Sequence, residues 1–102
     1  MQAKELLHRL KLQHPPLVLD VRSGSEYASG HIPEALHAPN LAILVKMSKL
    51  PDDKNCELVI TCEHGPRARM AQGILSIYGY NNTTLLDGHM SAWRSAGLET
   101  AK

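Results

Sequence analysis

Eight consecutive residues, Cys62-Glu63-His64-Gly65-Pro66-Arg67-Ala68-Arg69, set a nucleophile, a glycine, a proline and two cations between two apolar runs. The run before them, Glu57-Leu58-Val59-Ile60-Thr61, is short and β-rich, as a buried strand would be. After them, Met70, Ile74, Leu75 and Ile77 recur at helical spacing as far as Gly79, a predicted C-cap. A strand that turns tightly into a helix sets the Cys62 sulfur at the helix N-terminus. Unpaired backbone N–H groups and the positive end of the macrodipole favour an anion there. A thiol so placed is expected to have a depressed pKa, and the thiolate is the nucleophilic form. A cysteine that merely ends an apolar strand is by default an inert buried residue. The glycine, proline and arginines that follow turn the expectation towards a working thiol.

The rest of the chain must position that sulfur. Leu6, Leu7 and Leu10, with Ala3, mark one face of an opening helix, ended by His14-Pro15-Pro16. Leu17-Val18-Leu19-Asp20-Val21 reads as a buried strand, apolar nearly throughout as parallel strands tend to be. Ser23 or Ser25 caps a short helix through Tyr27, stopped by Gly30 and by Pro33 soon after. Residues 35–38 read as a brief strand. Asn40 is the predicted N-cap of a helix through Leu50, with Leu41, Leu44, Val45 and Met47 or Leu50 turned inward. A polar turn over 51–55 leads to the strand that delivers Cys62. A helix over 67–78, a turn at Asn81-Asn82, a strand over 83–86 and a helix over 89–96 ended by Gly97 complete the chain. Strands alternating with helices predict an α/β layer fold with a mainly parallel sheet. Ligands of such sheets bind beyond the carboxyl ends of the strands. Asp20, Cys62 and Asp87 all lie at or near those ends.

At 102 residues the chain is expected to form one domain, 1–102, without internal repeat, low-complexity tract or linker. Such a chain buries somewhat under ~70% of its unfolded surface, enough for a modest core. A net charge of +1 with histidine neutral creates no bulk field for nucleic acid or an anionic membrane. No apolar stretch approaches a membrane span, and Met1-Gln2-Ala3-Lys4-Glu5 lacks the apolar region of a signal peptide. Two cysteines are too few for a disulfide framework, and a working thiol fits a reducing compartment, so the expected location is cytoplasmic.

With these residues placed, the chain resembles a single-domain rhodanese, a thiosulfate-sulfurtransferase-like module, over nearly its full length. Four segments carry the match, in order across about 80 residues. Leu19-Asp20-Val21-Arg22 with Glu26-Tyr27 resembles the family's first strand and the helix after it. Gly30-His31-Ile32-Pro33 with Ala35 resembles its Gly-His-Ile-Pro-x-Ala signature. Cys62-x-x-Gly65-x-Arg67-Ala68 resembles its active-site loop, and Leu86-Asp87-Gly88 with Ala92-Trp93 its closing Gly-Gly-x-x-x-Trp segment. The chain departs from the pattern at Glu34, where the family has glycine, and at His89, which replaces the second glycine of the closing pair. Both read as turn substitutions. Pro66 has no N–H, so a cradle drawn from residues 63–68 has five donors: Glu63, His64, Gly65, Arg67 and Ala68. Pro66 in turn stiffens the loop.

The resemblance implies a rhodanese-like three-layer α/β fold, with a mainly parallel central sheet flanked by helices. It also implies a sulfurtransferase. Cys62 thiolate attacks the outer sulfur of a donor such as thiosulfate, releases sulfite and holds a persulfide that a thiol or cyanide takes up. Backbone N–H donors serve both anionic states of that sulfur without a titratable counter-charge. Gly65 meets the need for close backbone approach or positive φ. Arg67 ties the loop, pairs with an anionic donor or is simply an exposed cation, the last reading applying more strongly to Arg69. His64 is a proton donor or a solvated loop histidine. Glu63 offsets part of the loop's positive charge, which is expected to weaken a preference for dianionic thiosulfate.

Loop length separates reaction classes. Cysteine phosphatases and arsenate reductases related to this family use Cys-x5-Arg, wide enough for a tetrahedral oxyanion. Here four residues separate Cys62 from Arg67, a ring that fits one sulfur better. The Cys-Gly-[Ser/Thr]-Gly-Val-Thr pattern of mercaptopyruvate sulfurtransferases does not occur. Asp20 is expected to hydrogen-bond loop amides or to pair with Arg22 in a structural role, His31 to anchor the turn before Pro33, and Trp93 to lie in the core with its N–H on a backbone partner. Cys56 reads as a bystander without Cys-x-x-Cys spacing to Cys62. Cys62-x-His64 with His37 or His89 lacks the spacing of a zinc site, and no metal or cofactor is expected. The alternatives to the enzyme are a persulfide carrier in a sulfur relay with protein partners and a non-catalytic binding module. The chain is expected to act as a monomer.

Overall fold

Alternate residues of the two central strands face opposite sides of one sheet, and each side is covered by a different set of helices. The computed structural model of the protein describes residues 1–44 and 49–102. The described residues form α1 (Ala3–Leu10), β1 (Leu17–Asp20), α2 (Gly24–Ser29), β2 (Leu36–His37), α3 (Asn40–Leu44), β3 (Leu58–Thr61), α4 (Pro66–Ile77), β4 (Thr83–Leu85) and α5 (His89–Ser95). Leu19, Leu58 and Ile60 point to one side, against Ile43 of α3 and Ala68, Ala71 and Leu75 of α4. Val18 and Val59 point to the other, against Leu6 of α1 and Met90 and Trp93 of α5, with Tyr27 of α2 packed at the margin. Burying one such large side chain contributes about 1.5–3 kcal/mol, so these two clusters outweigh the exposed ion pairs in holding the three layers together.

The sheet is parallel throughout, in the order β2-β1-β3-β4. The connection after β1 moves one way, to β2, and the connection after β3 moves the other way, to β4. β1 and β3 pair directly, Leu17 opposite Leu58 through Asp20 opposite Thr61. The carboxyl ends of β1 and β3 therefore form the switch point at which an open α/β sheet offers a crevice. Cys62 is the first residue beyond β3.

Several elements differ from the sequence reading for definable reasons. α1 stops at Leu10, where the Lys11 N–H turns back to the His8 carbonyl, well before the prolines. Ser23 rather than Ser25 caps α2, in a reciprocal capping box with Glu26, and α2 runs on to Ser29. Asn40 is not a cap. It is the first residue of α3, and the Pro39 carbonyl accepts the Ile43 N–H. Ile43 is the buried residue of α3, whereas Leu41 and Leu44 are 71% and 53% exposed. Val45 and Met47 lie outside the described residues; Leu50, expected at the end of this helix, is not helical but does pack against the core. On α4 the buried face is Ala68, Ala71 and Leu75, and Met70 and Ile77 are exposed. Two alanines facing the sheet let the helix, and so its N-terminus, approach β3 closely.

Candidate active site

The chain leaves β3 at Cys62 and enters α4 at Pro66, so only Glu63, His64 and Gly65 make the turn. Pro66 occupies the first helical position, where its fixed φ suits the helix and its missing N–H costs no helical hydrogen bond. Gly65 precedes it at φ 129°, a conformation that side chains rarely adopt. A Cβ there would also come within 3.3 Å of Arg69 Nη1 and His89 Nε2. This backbone turns the Gly65 N–H onto Cys62 Sγ at 2.9 Å. Of the five donors expected to ring the sulfur, Gly65 is the one that reaches it. The Glu63, His64, Arg67 and Ala68 N–H groups make no hydrogen bond to it. Cys62 is fully buried, as an inert core cysteine would be, and differs from one by this N–H contact at the head of a twelve-residue helix.

The head of α5 pins the loop from the other side. The Met90 N–H donates to the Cys62 carbonyl at 3.0 Å, and the Ser91 N–H to that of Glu63 at 3.3 Å. Helix donors that would otherwise be orphaned are thus satisfied by the loop. The chain reaches this position through Gly88 at φ 70°, where a Cβ would lie 2.4 Å from that of Ala92, so the turn requires glycine. His89 follows at φ 53°, is buried, and accepts the Cys62 N–H through Nδ1 at 3.3 Å. Sequence reasoning saw His89 as a turn substitution and an unsupported metal ligand, and missed this contact. The available signal was its place at the head of the helix following β4, beside the carboxyl end of β3.

Ion pairs fix the loop's outer side chains. Arg67 makes a bidentate pair with Glu26 of α2, at 2.6 and 3.0 Å, and its carbonyl accepts from Asn40 Nδ2 at 3.0 Å. Arg67 therefore ties the loop to α2 and α3. The Arg67 contact, aided by Ser23, holds the Glu26 carboxyl at about 2, against 4.5 ordinarily. A carboxyl depressed in the folded state stabilises the fold above its unfolded pKa and loses that contribution as pH falls through its folded one. Glu26→Gln is therefore expected to flatten the dependence of urea stability on pH between 4.5 and about 2. Because the pair is one-third exposed, the effect at neutral pH is expected to be small. Equal slopes in that window for both proteins would contradict the pairing.

Deeper in, Asp20 and Arg22 form a fully buried bidentate pair, and Arg22 Nη2 also donates to the Gly30 carbonyl at 2.7 Å. Of the two partners expected for Asp20, the structure shows Arg22 and not the loop amides. Glu63 is clamped by Arg94 and by Arg22 Nη1 at 3.5 Å, and the Arg94 contact first, then the Arg22 and His64 charges, hold its carboxyl below the usual range. Its negative charge is thus paired with two arginines, one of which, Arg22, also faces Asp20. Arg22, Glu63 and Arg94 border a cavity of about 320 Å³, together with Glu26.

The remaining candidates have structural surroundings. The His31 ring stacks on Tyr27 at 3.7 Å with Nδ1 2.8 Å from the Tyr27 carbonyl, and its backbone bridges to Ala101. Trp93 is buried and donates Nε1–H to the Glu99 carbonyl at 2.9 Å. The Asp87 carboxylate faces the Met1 amino group at 3.4 Å. His64 is exposed. Cys56 is a free, half-buried thiol whose pKa is raised by burial and by Asp53. Among the described residues no three His, Cys, Asp or Glu side chains are grouped to hold a metal ion, and no helix is long and apolar enough to cross a membrane.

Comparison with known proteins gives consistent matches. The family model described as a rhodanese-like domain matches residues 2–96. A sulfurtransferase of Allochromatium vinosum is 35% identical over 98 residues, covering 96% of this chain and 90% of that one. A thiosulfate:glutathione sulfurtransferase of Saccharomyces cerevisiae is 33% identical, covering 91% of this chain and 76% of its own. Among solved structures, a rhodanese-like domain protein of Staphylococcus aureus superposes with a TM-score of 0.82 at 29% identity, over 100% of this chain and 97% of that one.

Proposed function

The chain belongs to the rhodanese-like family, and from that premise we propose that it transfers sulfane sulfur from a donor such as thiosulfate to cyanide or a thiol through a persulfide on Cys62. The observation that carries this reading is the Gly65 N–H on the Cys62 sulfur at the head of α4. In the first step Cys62 Sγ forms a bond to the outer sulfur of thiosulfate. The S–S bond of the donor breaks, and its electron pair leaves with sulfite. The sulfur left on Cys62 is an anion one bond further out, where further loop N–H groups can reach it. In the second step an acceptor carbon or sulfur takes that outer atom, and the Sγ–S electron pair returns to Cys62 as thiolate. The similarity to the yeast thiosulfate:glutathione sulfurtransferase supports a thiol as acceptor.

Because Cys62 has no exposed surface, a donor reaches the sulfur only when neighbouring groups move aside. The exposed His64 and Arg69 are placed to meet an anionic donor, and Arg67 could join them only by leaving its pair with Glu26. Two free thiols suit the reducing cytoplasm as the place of action, and 1–102 acts as a single unit and a monomer. A persulfide relay with a protein partner would use the same Cys62 chemistry with a different donor. Rapid loading from a partner with slow turnover of thiosulfate would mark it.

A two-step covalent mechanism predicts parallel double-reciprocal lines when thiosulfate and cyanide are varied together. Lines that intersect would mean that both substrates bind before sulfur moves, which contradicts a persulfide released from its donor.

A further inference from the structure

The geometry points to His89 as a positioning residue for the Cys62 loop, one that works only as the neutral imidazole with its proton on Nε2. The inference rests on the reading of Cys62 as the sulfur-carrying residue and gives a role to the residue at which the chain departs from the closing segment. A backbone N–H can only donate, so the nitrogen that receives the Cys62 N–H at 3.3 Å, Nδ1, must carry a lone pair. The ring's one proton is then on Nε2. That atom lies against Gly65, the residue whose N–H reaches the sulfur, as the 3.3 Å separation from a Cβ built there shows. One buried ring therefore accepts the amide at which the turn begins and fills the space into which a side chain at Gly65, the sulfur's donor, would project.

Protonating the ring would put an N–H on Nδ1, facing the Cys62 N–H, and break the contact. The surroundings oppose protonation. Burial is the main cause of a His89 pKa below the ordinary value; Arg69 of α4, His64 of the loop and the Met1 ammonium act in the same direction. Asp87, in the turn before α5, acts against them. Arg69 has its Nη1 at the same Gly65 position. His89 also holds φ 53°, a strained conformation that a residue chosen only for the turn would avoid.

The test separates the His89 contact from sulfur transfer. In the Cys62→Ser protein no persulfide forms at residue 62, while the amide of that residue remains. NMR of its ring nitrogens is expected to give the Nε2-protonated tautomer at neutral pH. The residue-62 amide resonance is expected to shift with the His89 titration, at a pH below the usual histidine range. An Nδ1-protonated ring, or a residue-62 amide that does not respond as His89 titrates, would overturn the inference whatever the enzyme does. In the Cys62-intact protein, His89→Asn places Oδ1 near the position of Nδ1 and tolerates the left-handed backbone. It is expected to keep kcat/KM within about threefold and to lose the His89 ionisation from the acid limb of the pH profile. His89→Leu, which leaves the Cys62 N–H unpaired, is expected to lower kcat/KM about tenfold. An Asn variant as impaired as the Leu variant, with the amide titration also absent, would leave His89 a packing residue only.

Discussion

Replacing Cys62 with serine is expected to lower thiosulfate:cyanide sulfur transfer by about 10³-fold or more, to the level of the uncatalysed reaction. The reason is chemical before it is structural. Serine fits the same buried position beneath the Gly65 N–H and removes only the sulfur, so the fold and the contacts at the head of α5 are retained. An alkoxide is not accessible at neutral pH as the nucleophile of the first step, and it is a far poorer leaving group than a thiolate for the second. The expected pattern is a loss in kcat with an unchanged melting temperature. Full activity in the serine protein would remove Cys62 from the mechanism and leave the buried thiol a core residue.

The largest structural effect is expected at the buried pair beneath the loop. Arg22→Met should destabilise the fold by about 3–5 kcal/mol, because it leaves the Asp20 carboxylate buried without its charge partner. A domain of this size has a total stability of about 5–15 kcal/mol, so the loss is a large share of it. Roughly, the melting temperature should fall by 12 °C or more. The same change removes the donor to the Gly30 carbonyl and one of the two cations on Glu63, loosening the loop as well as the strand end. Asp20→Leu combined with Arg22→Met should recover much of the stability, since replacing both partners with apolar groups avoids the unpaired charge. A melting temperature within a few degrees for Arg22→Met alone would show that the carboxylate is satisfied without Arg22.

What could be read from the sequence was what depends on local pattern. β1 and β3 carry continuous apolar runs, Cys62 follows directly, and Gly65 and Pro66 mark the turn into α4; all three elements lie where those patterns put them, within a residue. The faces of short helices were less legible. Met70 and Ile77 are large and apolar and fall at helical spacing, yet the residues facing the sheet are Ala68 and Ala71, because close approach of α4 favours small side chains. In α3 the same hydrophobicity argument chose Leu41 and Leu44 over Ile43. The Asp20–Arg22 pair, two residues apart, was legible, but the long-range charge pairs were not: Glu26 meets Arg67 across 41 residues, and Glu63 meets Arg94 across 31. Such partners are set by which loops the sheet order brings together. His89 belongs to this group, 27 residues from the amide it receives. The loop's cysteine, glycine and arginine were thus legible one by one, while the contacts that hold Glu63, Arg67 and His89 required the fold.

The most direct measurement is the intact mass of the purified, reduced protein before and after treatment with thiosulfate, with the Cys62→Ser protein in parallel. The account predicts a gain of one sulfur atom in the Cys62 protein, reversed by cyanide, and no gain in the serine protein. An unchanged mass in the first, or the same gain in both, would contradict a persulfide on Cys62.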